Sequence, residues 1–414
     1  MKCIIPIFLL CTHLSFAQGA WVQKNNLLGI SRYNPVGFNA NGKGYIGLGK
    51  GNSNAELFKD FWEYNPVTDT WTQKADFPGG KRVGALGISI NDKGYVGTGS
   101  NPDQNLQNDW WEYNAQFNFW LQKADFPGGG RDGMTGFSLE GAAYLGTGLT
   151  SSFVPCQDWW RYDPNTDSWL QRANLPGPSR AYAAGFVIDS KIFIGTGFGF
   201  QSGSFNYLND FWEYDIATDN WVQKNNFPGG KRGEAHGFSL GSTGYLGLGT
   251  KLIGSGTVDD FWRYFPNSDN WQQISDFGGG LREMTSGFTI ECKHYICAGF
   301  INDQDQKNDL WEFSLDTCYT APPEPPVVET EGYFIPNVFS PNGDNSNDFW
   351  TTNFIDKSEY LMILNRWGQV ITEINMDQPK WDGSSNGEPS TDGVYFYRGM
   401  MRGENKSGYF HLVR

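Results

Sequence analysis

Six arginines and six aspartates recur at fixed places along this chain, and they are the first residues that could do chemistry. The arginines are Arg32, Arg82, Arg131, Arg180, Arg232 and Arg282; the aspartates are Asp60, Asp109, Asp158, Asp210, Asp260 and Asp309. An arginine fork grips a carboxylate or a phosphate through two parallel hydrogen bonds. Two uses follow: an anion-binding ring of arginines, or six repeated Arg–Asp pairs. Six unpaired cations held together would repel one another, and a feature that every repeat carries serves what the repeats share, which is the fold. The pairs are therefore expected to be structural.

Function should sit where the repeats differ. Just after each arginine come Tyr33 and Asn34, Asp132 and Met134, Tyr182, Glu234 and His236, and Glu283 and Met284. Glu234, His236 and Glu283 are the residues that could do acid/base work. A further set lies in a long variable segment with Phe198, Phe200, Phe205 and Tyr207. Beyond its first seventeen residues the chain has only His236, His294 and His411. His294 is expected in a hairpin turn on the opposite face from His236, so no histidine-rich copper centre is expected. Asn342, Asp344, Asn347 and Asp348 form a dense cluster of oxygen ligands, and calcium is the cation such a cluster would take. Asx-rich turns also arise without metal.

The elements that must position these residues come from a repeat. Phe61-Trp62-Glu63-Tyr64-Asn65-Pro66, followed by Asp69 and Trp71, recurs at steps of 49 to 52 residues. Its first tryptophan falls at Trp62, Trp111, Trp160, Trp212, Trp262 and Trp311, and its second at Trp21, Trp71, Trp120, Trp169, Trp221 and Trp271. Each unit holds four short apolar or aromatic runs split by Gly, Asn, Asp and Pro turns, which predicts four antiparallel strands. In the second unit these are Ala85 to Ile90, Tyr95 to Gly99, Trp110 to Tyr113 and Trp120 to Lys123. The glycines of the second strand are expected to lie in a crowded layer near the axis. The sixth unit lacks its closing strand, while Trp21 to Lys24 is a spare one at the start. Residues 21–24 are therefore expected to pair with 310–314 and hide two open sheet edges. The tryptophans occupy repeat positions and read as core between sheets.

This pattern resembles kelch repeats. Gly-Tyr-Val-Gly-Thr-Gly at 94–99 stands where kelch units carry a strand ending in two glycines, and here, as in Gly247-Leu248-Gly249, the pair is split. The resemblance implies an all-β chain: a six-bladed kelch-type β-propeller over residues 18–318, closed by its N-terminal strand. The residues after each arginine and the loops between second and third strands would then share one face, at the channel mouth. Aligning the sixth unit on the second puts Cys292 and Cys318 in turns at one end of a blade, and a disulfide between them is expected, with Cys156 and Cys297 free.

Residues 1–17 read as a signal peptide: Lys2, an apolar run from Ile4 to Leu10, and Ser15-Phe16-Ala17. The apolar run is too short to span a bilayer. The net charge is −14. That argues against nucleic acid or an anionic membrane as partner. A proline-rich linker covers 319–332. In 333–414, Ile335-Pro-Asn-Val-Phe-Ser-Pro-Asn-Gly-Asp, Leu361-Met-Ile-Leu-Asn-Arg-Trp-Gly-Gln, Trp381-Asp-Gly and Asp392-Gly-Val-Tyr-Phe-Tyr resemble the type B sorting domain of the type IX secretion system of gliding bacteria. That resemblance implies a small C-terminal β-sandwich, contact with the secretion machinery, and release or display outside the cell. The expected function is an extracellular binding module for a glycan or a protein. The alternative is a sugar-modifying enzyme, epimerase- or hydrolase-like, at the channel mouth. No cofactor other than calcium is suggested.

Overall fold

The computed structural model describes residues 19–315, apart from 53–55, 202–203, 252–255 and 302–304. It also describes 338–412, apart from 340, 342–347, 353–356, 366–367, 386–387 and 402–403. The chain divides into two compact units, Met1–Tyr319 and Thr320–Arg414. The described residues are all-β, and no helix among them is long and apolar enough to cross a membrane. The signal segment, the linker, Cys318 and the Asn342, Asp344 and Asn347 part of the oxygen cluster lie outside the described residues.

The first unit contains six four-stranded antiparallel sheets, one per repeat. Sheet one is typical: Val36–Ala40, Lys43–Gly47, Phe61–Asn65 and Thr70–Lys74, in that order. Sheet six runs Ser286–Ile290, Lys293–Cys297, Leu310–Ser314 and then Ala20–Lys24. There Trp21 opposes Phe313 and Lys24 opposes Leu310. The first strand of the described chain thus covers the edge that the sixth repeat leaves open.

In each sheet the first strand lines the central cavity; those of sheets one to five pack in succession, Val36–Ala40 packs also on Ser286–Ile290 of sheet six, and His236–Leu240 of sheet five meets Lys293–Cys297 of sheet six. The second-strand glycines are crowded as expected, a Cβ on Gly44 falling 2.1 Å from the Phe288 ring, but the strand that lines the cavity is the first. The inner strands carry the closest approach: a Cβ on Gly37 would sit 2.6 Å from the Gly287 carbonyl. Alternation does the rest. Val36, Phe38 and Ala40 are buried, while Gly37 and Asn39 are half-buried and face a central cavity.

Between sheets, each outer-strand tryptophan reaches back to the preceding repeat. Trp71 Nε1 donates to the Asn25 carbonyl at 2.9 Å, and the Asn25 amide donates to Asp69 Oδ1 at 3.0 Å. Trp120, Trp169, Trp221 and Trp271 donate to Ala75, Ala124, Ala173 and Asn225 in the same way. Trp21 itself packs on Phe261, Phe277 and Phe313 with ring centroids 4.8–5.2 Å apart.

The second unit has one five-stranded sheet whose core strands are Tyr360–Leu364, Gly393–Met401 and Glu404–Leu412. A short ladder joins Trp350 to Trp381, and both pack on Phe410 in its core.

A secreted form beginning at Asn25 would leave the Leu310–Ser314 edge bare and the Trp21 site empty. We expect its melting temperature to fall on the order of 10 °C. An unchanged melting curve by differential scanning calorimetry would mean that the pairing contributes nothing.

Candidate functional site

One face of the first unit is organised by the six arginines. Their side chains are 7 % exposed or less. Five are bidentate on their aspartates: Arg131, for example, donates to Asp158 at 2.8 and 3.0 Å. Arg180 reaches Asp210 through Oδ2 alone, at 2.5 Å. The first tryptophan of each repeat donates its Nε1 to the same aspartate, as Trp62 does to Asp60 at 2.7 Å. Burial works to raise the Asp60 carboxyl, but the Arg32 hydrogen bond and charge, with Trp62, hold it below its ordinary value. Each arginine also donates Nη1 to a carbonyl sixteen residues on, at 2.8–3.1 Å: Leu48, Thr98, Thr147, Thr196, Leu248 and Ala298. All six of those residues have left-handed backbones, with φ between 58° and 66°. The arginine therefore holds the bend by which the second strand leaves its sheet.

The chain after each bend forms a second tier of β contacts above the sheets. The Gly49 amide donates to the Arg82 carbonyl, and the same bond recurs at Gly99, Gly148, Gly197, Gly249 and Gly299, the last to Arg32. Tyr33 pairs with Lys50, Asp132 with Leu149 and Glu283 with Phe300. The residues after each arginine and the loops between second and third strands thus meet on one face.

Two residues beyond each arginine stands another left-handed position: Asn34, Gly84, Gly133, Tyr182, Glu234 and Met284, with φ between 51° and 67°. They are strung into a collar by backbone hydrogen bonds. Asn34 N–H donates to Met284, Met284 to Glu234, Glu234 to Tyr182, Tyr182 to Gly133 and Gly133 to Gly84, at 2.8–3.4 Å. Below it lies a cavity of about 160 Å³, with Glu234 the one charged residue among those lining it. A second cavity of about 280 Å³ lies between the inner strands, lined by Asn39, Ser89, Ser138, Val187, Ser239 and Thr289 among others.

Asp132 and Tyr182 meet at the collar, the Tyr182 hydroxyl donating to Asp132 Oδ2 at 2.7 Å. The Tyr182 ring lies where a Cβ on Gly133 would be 2.7 Å away, and Asp132 Oδ1 crowds Gly84. The two collar glycines therefore make room for the two side chains. Burial pushes the Asp132 carboxyl up to about 6, against the Tyr182 bond, and its Oδ1 has no hydrogen-bond partner among the described residues. Tyr33 packs against Phe300 with ring centroids 4.7 Å apart. Glu283 is buried and accepts from Thr257 Oγ1 at 3.4 Å.

His236 does not line the mouth as expected. It starts the inner strand of sheet five and points into the interface with sheet six, where its Nε2 lies 2.8 Å from His294 Nε2. His294 is not in a turn: it lies within Lys293–Cys297, stacked on Phe238 at 3.9 Å. Thr285 and Thr289 hydroxyls hold the two Nδ1 atoms at 3.0 and 2.8 Å. His236 is thus part of the packing, and the proposed Glu234, His236, Glu283 acid/base cluster loses its imidazole. Phe200, Phe205 and Tyr207 lie on a ribbon, Phe198–Gln201 with Ser204–Tyr207, whose first strand also pairs with Arg180–Ala181. Cys292 is disulfide-bonded, and Cys156 and Cys297 are free. Asp348 is described without its three expected co-ligands. The collar was missed from the sequence, although glycine at two of its six positions and asparagine at a third are the signal for a left-handed backbone.

The histidine pair makes stability pH-dependent. Burial holds the His236 imidazole down at about 4 against an ordinary 6.5, and His294 well below by burial and then by the His236 charge. Both are neutral when folded and take a proton on unfolding, so their contribution is whole above pH 6.5. It is lost as pH falls from there toward 4, by about 3 kcal/mol for His236 alone. Asp132 works oppositely, since its raised carboxyl favours the folded chain as pH drops below 6. Urea midpoints measured from pH 7 to 4 should fall, and the His236→Leu, His294→Leu double variant should flatten the fall. Equal slopes would contradict the assignment.

Residues 333–412 match the type IX secretion signal domain, CHU_C. The chain therefore carries a signal for secretion and attachment to the outer cell surface. No curated protein matches the sequence. Among solved structures, "Structure of YjhT" is similar in fold, at a TM-score of 0.60 and 18 % identity, covering 71 % of this chain and 97 % of that one.

Proposed function

We propose that residues 18–318 are a six-bladed kelch-type β-propeller closed by its own first strand, and that it works outside the cell as a binding module for a glycan or a protein. Residues 1–17 would be its signal peptide, 319–332 its linker and 333–414 its sorting domain. The six repeated sheets, the pairing of Ala20 with Ser314 and the bond from Gly299 back to Arg32 support this reading.

One observation carries the binding assignment. The collar repeats its backbone at all six positions, yet its side chains are all different outside the two glycines. Asn34, Tyr182, Glu234 and Met284 hold left-handed conformations that cost side-chain-bearing residues roughly 1–2 kcal/mol each. A strained backbone kept with varied side chains at a cavity mouth fits selection for what the side chains touch. The arginine–aspartate pairs are common to every repeat and belong to the scaffold.

The second reading, a sugar-modifying enzyme, draws on Asp132. A carboxyl near pKa 6, hydrogen-bonded by Tyr182, whose carbonyl in turn accepts from the Glu234 amide, is the kind of group that moves a proton at neutral pH. Turnover of a reducing sugar, followed by NMR and abolished by Asp132→Asn, would favour it.

Binding is tested by screening the full exported chain against glycans and extracellular proteins. Glu234→Gly should leave stability unchanged or raise it by about 1 kcal/mol, since it relieves the left-handed strain. The same variant should weaken the ligand at least tenfold. Full affinity in the variant would move the site away from the collar.

A further inference from the structure

The ribbon of sheet four is unlike the other connections on its face. Phe198 opposes Tyr207 and Phe200 opposes Phe205. Strand alternation puts all four rings on one face and Gly199, Ser204 and Asn206 on the other. Phe198 and Phe205 are parallel at 5.1 Å, and Phe200 stands at 71° to Phe205 at 5.2 Å. Phe200 and Phe205 are each nearly half exposed, at 46 % and 47 %. A pair of large rings held in fixed orientation with nearly half of each left in solvent keeps apolar area that burial would have used to stabilise the fold.

The wall begins at the collar. The Tyr207 ring covers Gly233, where a Cβ would lie 2.7 Å from it, and Gly233 adjoins Glu234. Burial first, then the charges of Glu234 and Glu283, push the Tyr207 hydroxyl up to about 12, so ring and carboxylates share one neighbourhood. The arginines of this face are committed elsewhere. All six arginines are bound to aspartates, and Lys251 of the adjoining loop is drawn toward Asp260 at 3.8 Å.

Two kinds of group are thus presented side by side: aromatic faces and carboxylates. Aromatic faces take the C–H side of a pyranose ring, and carboxylates accept its hydroxyls. A uronic-acid or sulfated chain would set its own charges against the Glu234 carboxylate.

We propose that the aromatic face of the Phe198–Tyr207 ribbon is a subsite for an uncharged sugar chain, with rings stacked on Phe200 and Phe205 and hydroxyls given to Glu234. This rests on the reading that the collar face binds ligand. The rings would anchor the chain, and the collar would select what reaches the mouth.

The test is titration calorimetry of the full exported chain with two sets of oligosaccharides. One is neutral: cello-, xylo-, manno- and N-acetylated chito-oligosaccharides. The other is anionic: oligogalacturonates and oligoalginates. At least one neutral series should bind and the anionic ones should not. Phe200→Ala with Phe205→Ala should weaken binding at least tenfold while the far-UV circular dichroism spectrum of the folded chain is retained. Anionic chains that bind as tightly as neutral ones overturn the proposal, as does binding of neither set. If Glu234→Gln loses the sugar but the ribbon variant keeps it, the ribbon subsite falls and the collar reading stands. If neither variant changes affinity, the collar reading falls as well.

Discussion

A buried arginine held by an aspartate, which a tryptophan also binds, and by the carbonyl of a left-handed residue is the constraint on which the rest of the first unit depends. Taking a guanidinium out of water costs several kcal/mol, and an isolated charge could not stay there. Each of these arginines recovers the cost through a carboxylate, a carbonyl and, in five repeats, the face of a phenylalanine 4.4–5.7 Å away. The sixth, Arg180, has Leu175 in the phenylalanine's place and only one carboxylate oxygen. What the charge accomplishes is positional. Its Nη1 bond fixes a left-handed residue at the end of the second strand, and the glycine after that residue is bonded to the next repeat's arginine. One side chain therefore couples a bend within its own sheet to the placement of the next.

The collar face follows from that coupling. Because every bend is the same, the segments after the arginines arrive at the same height and close-pack as a collar. The backbone there is fixed by hydrogen bonds from neighbouring repeats, so it can carry asparagine, tyrosine, glutamate and methionine in conformations that glycine would adopt at lower cost. Stability supplied by the shared scaffold is spent on variation at the mouth. The buried histidine pair between sheets five and six shows a different use of asymmetry. It fills an interface where sheets one, two and five place glycine against a phenylalanine ring, and it ties the inner strand of sheet five to two threonines of sheet six.

Much of this was legible in the sequence, for a physical reason. Tryptophans at a fifty-residue step mark sheet positions, and an unmatched strand at each end of a repeat array must pair or stay exposed. The match of 21–24 with 310–314 follows from that alone. The errors came from places where glycine hides strand structure. The second strand of the second unit, expected over Tyr95 to Gly99, runs Lys93–Gly97 and so takes in Gly94, and His294 occupies the equivalent position in sheet six. Reading that position as a turn sent His294 to the wrong face and hid its contact with His236. Likewise the inner strand carries a glycine at its second position in every repeat, a small-residue signal of close approach that aromatic neighbours obscured. The second unit was readable from its motifs, while its oxygen-rich segment lies largely outside the described residues.

The central claim is that each arginine and its aspartate act as one unit. A double-mutant cycle on Arg131 and Asp158, using Arg131→Met and Asp158→Leu in the full exported chain, measures this by chemical unfolding. Each single change strands a buried partner and should cost about 3–5 kcal/mol. The double variant should cost no more than either alone, since no charge is then left unpaired. Costs that simply add would show that the two residues stabilise the fold independently, and the account of a coupled scaffold would be wrong.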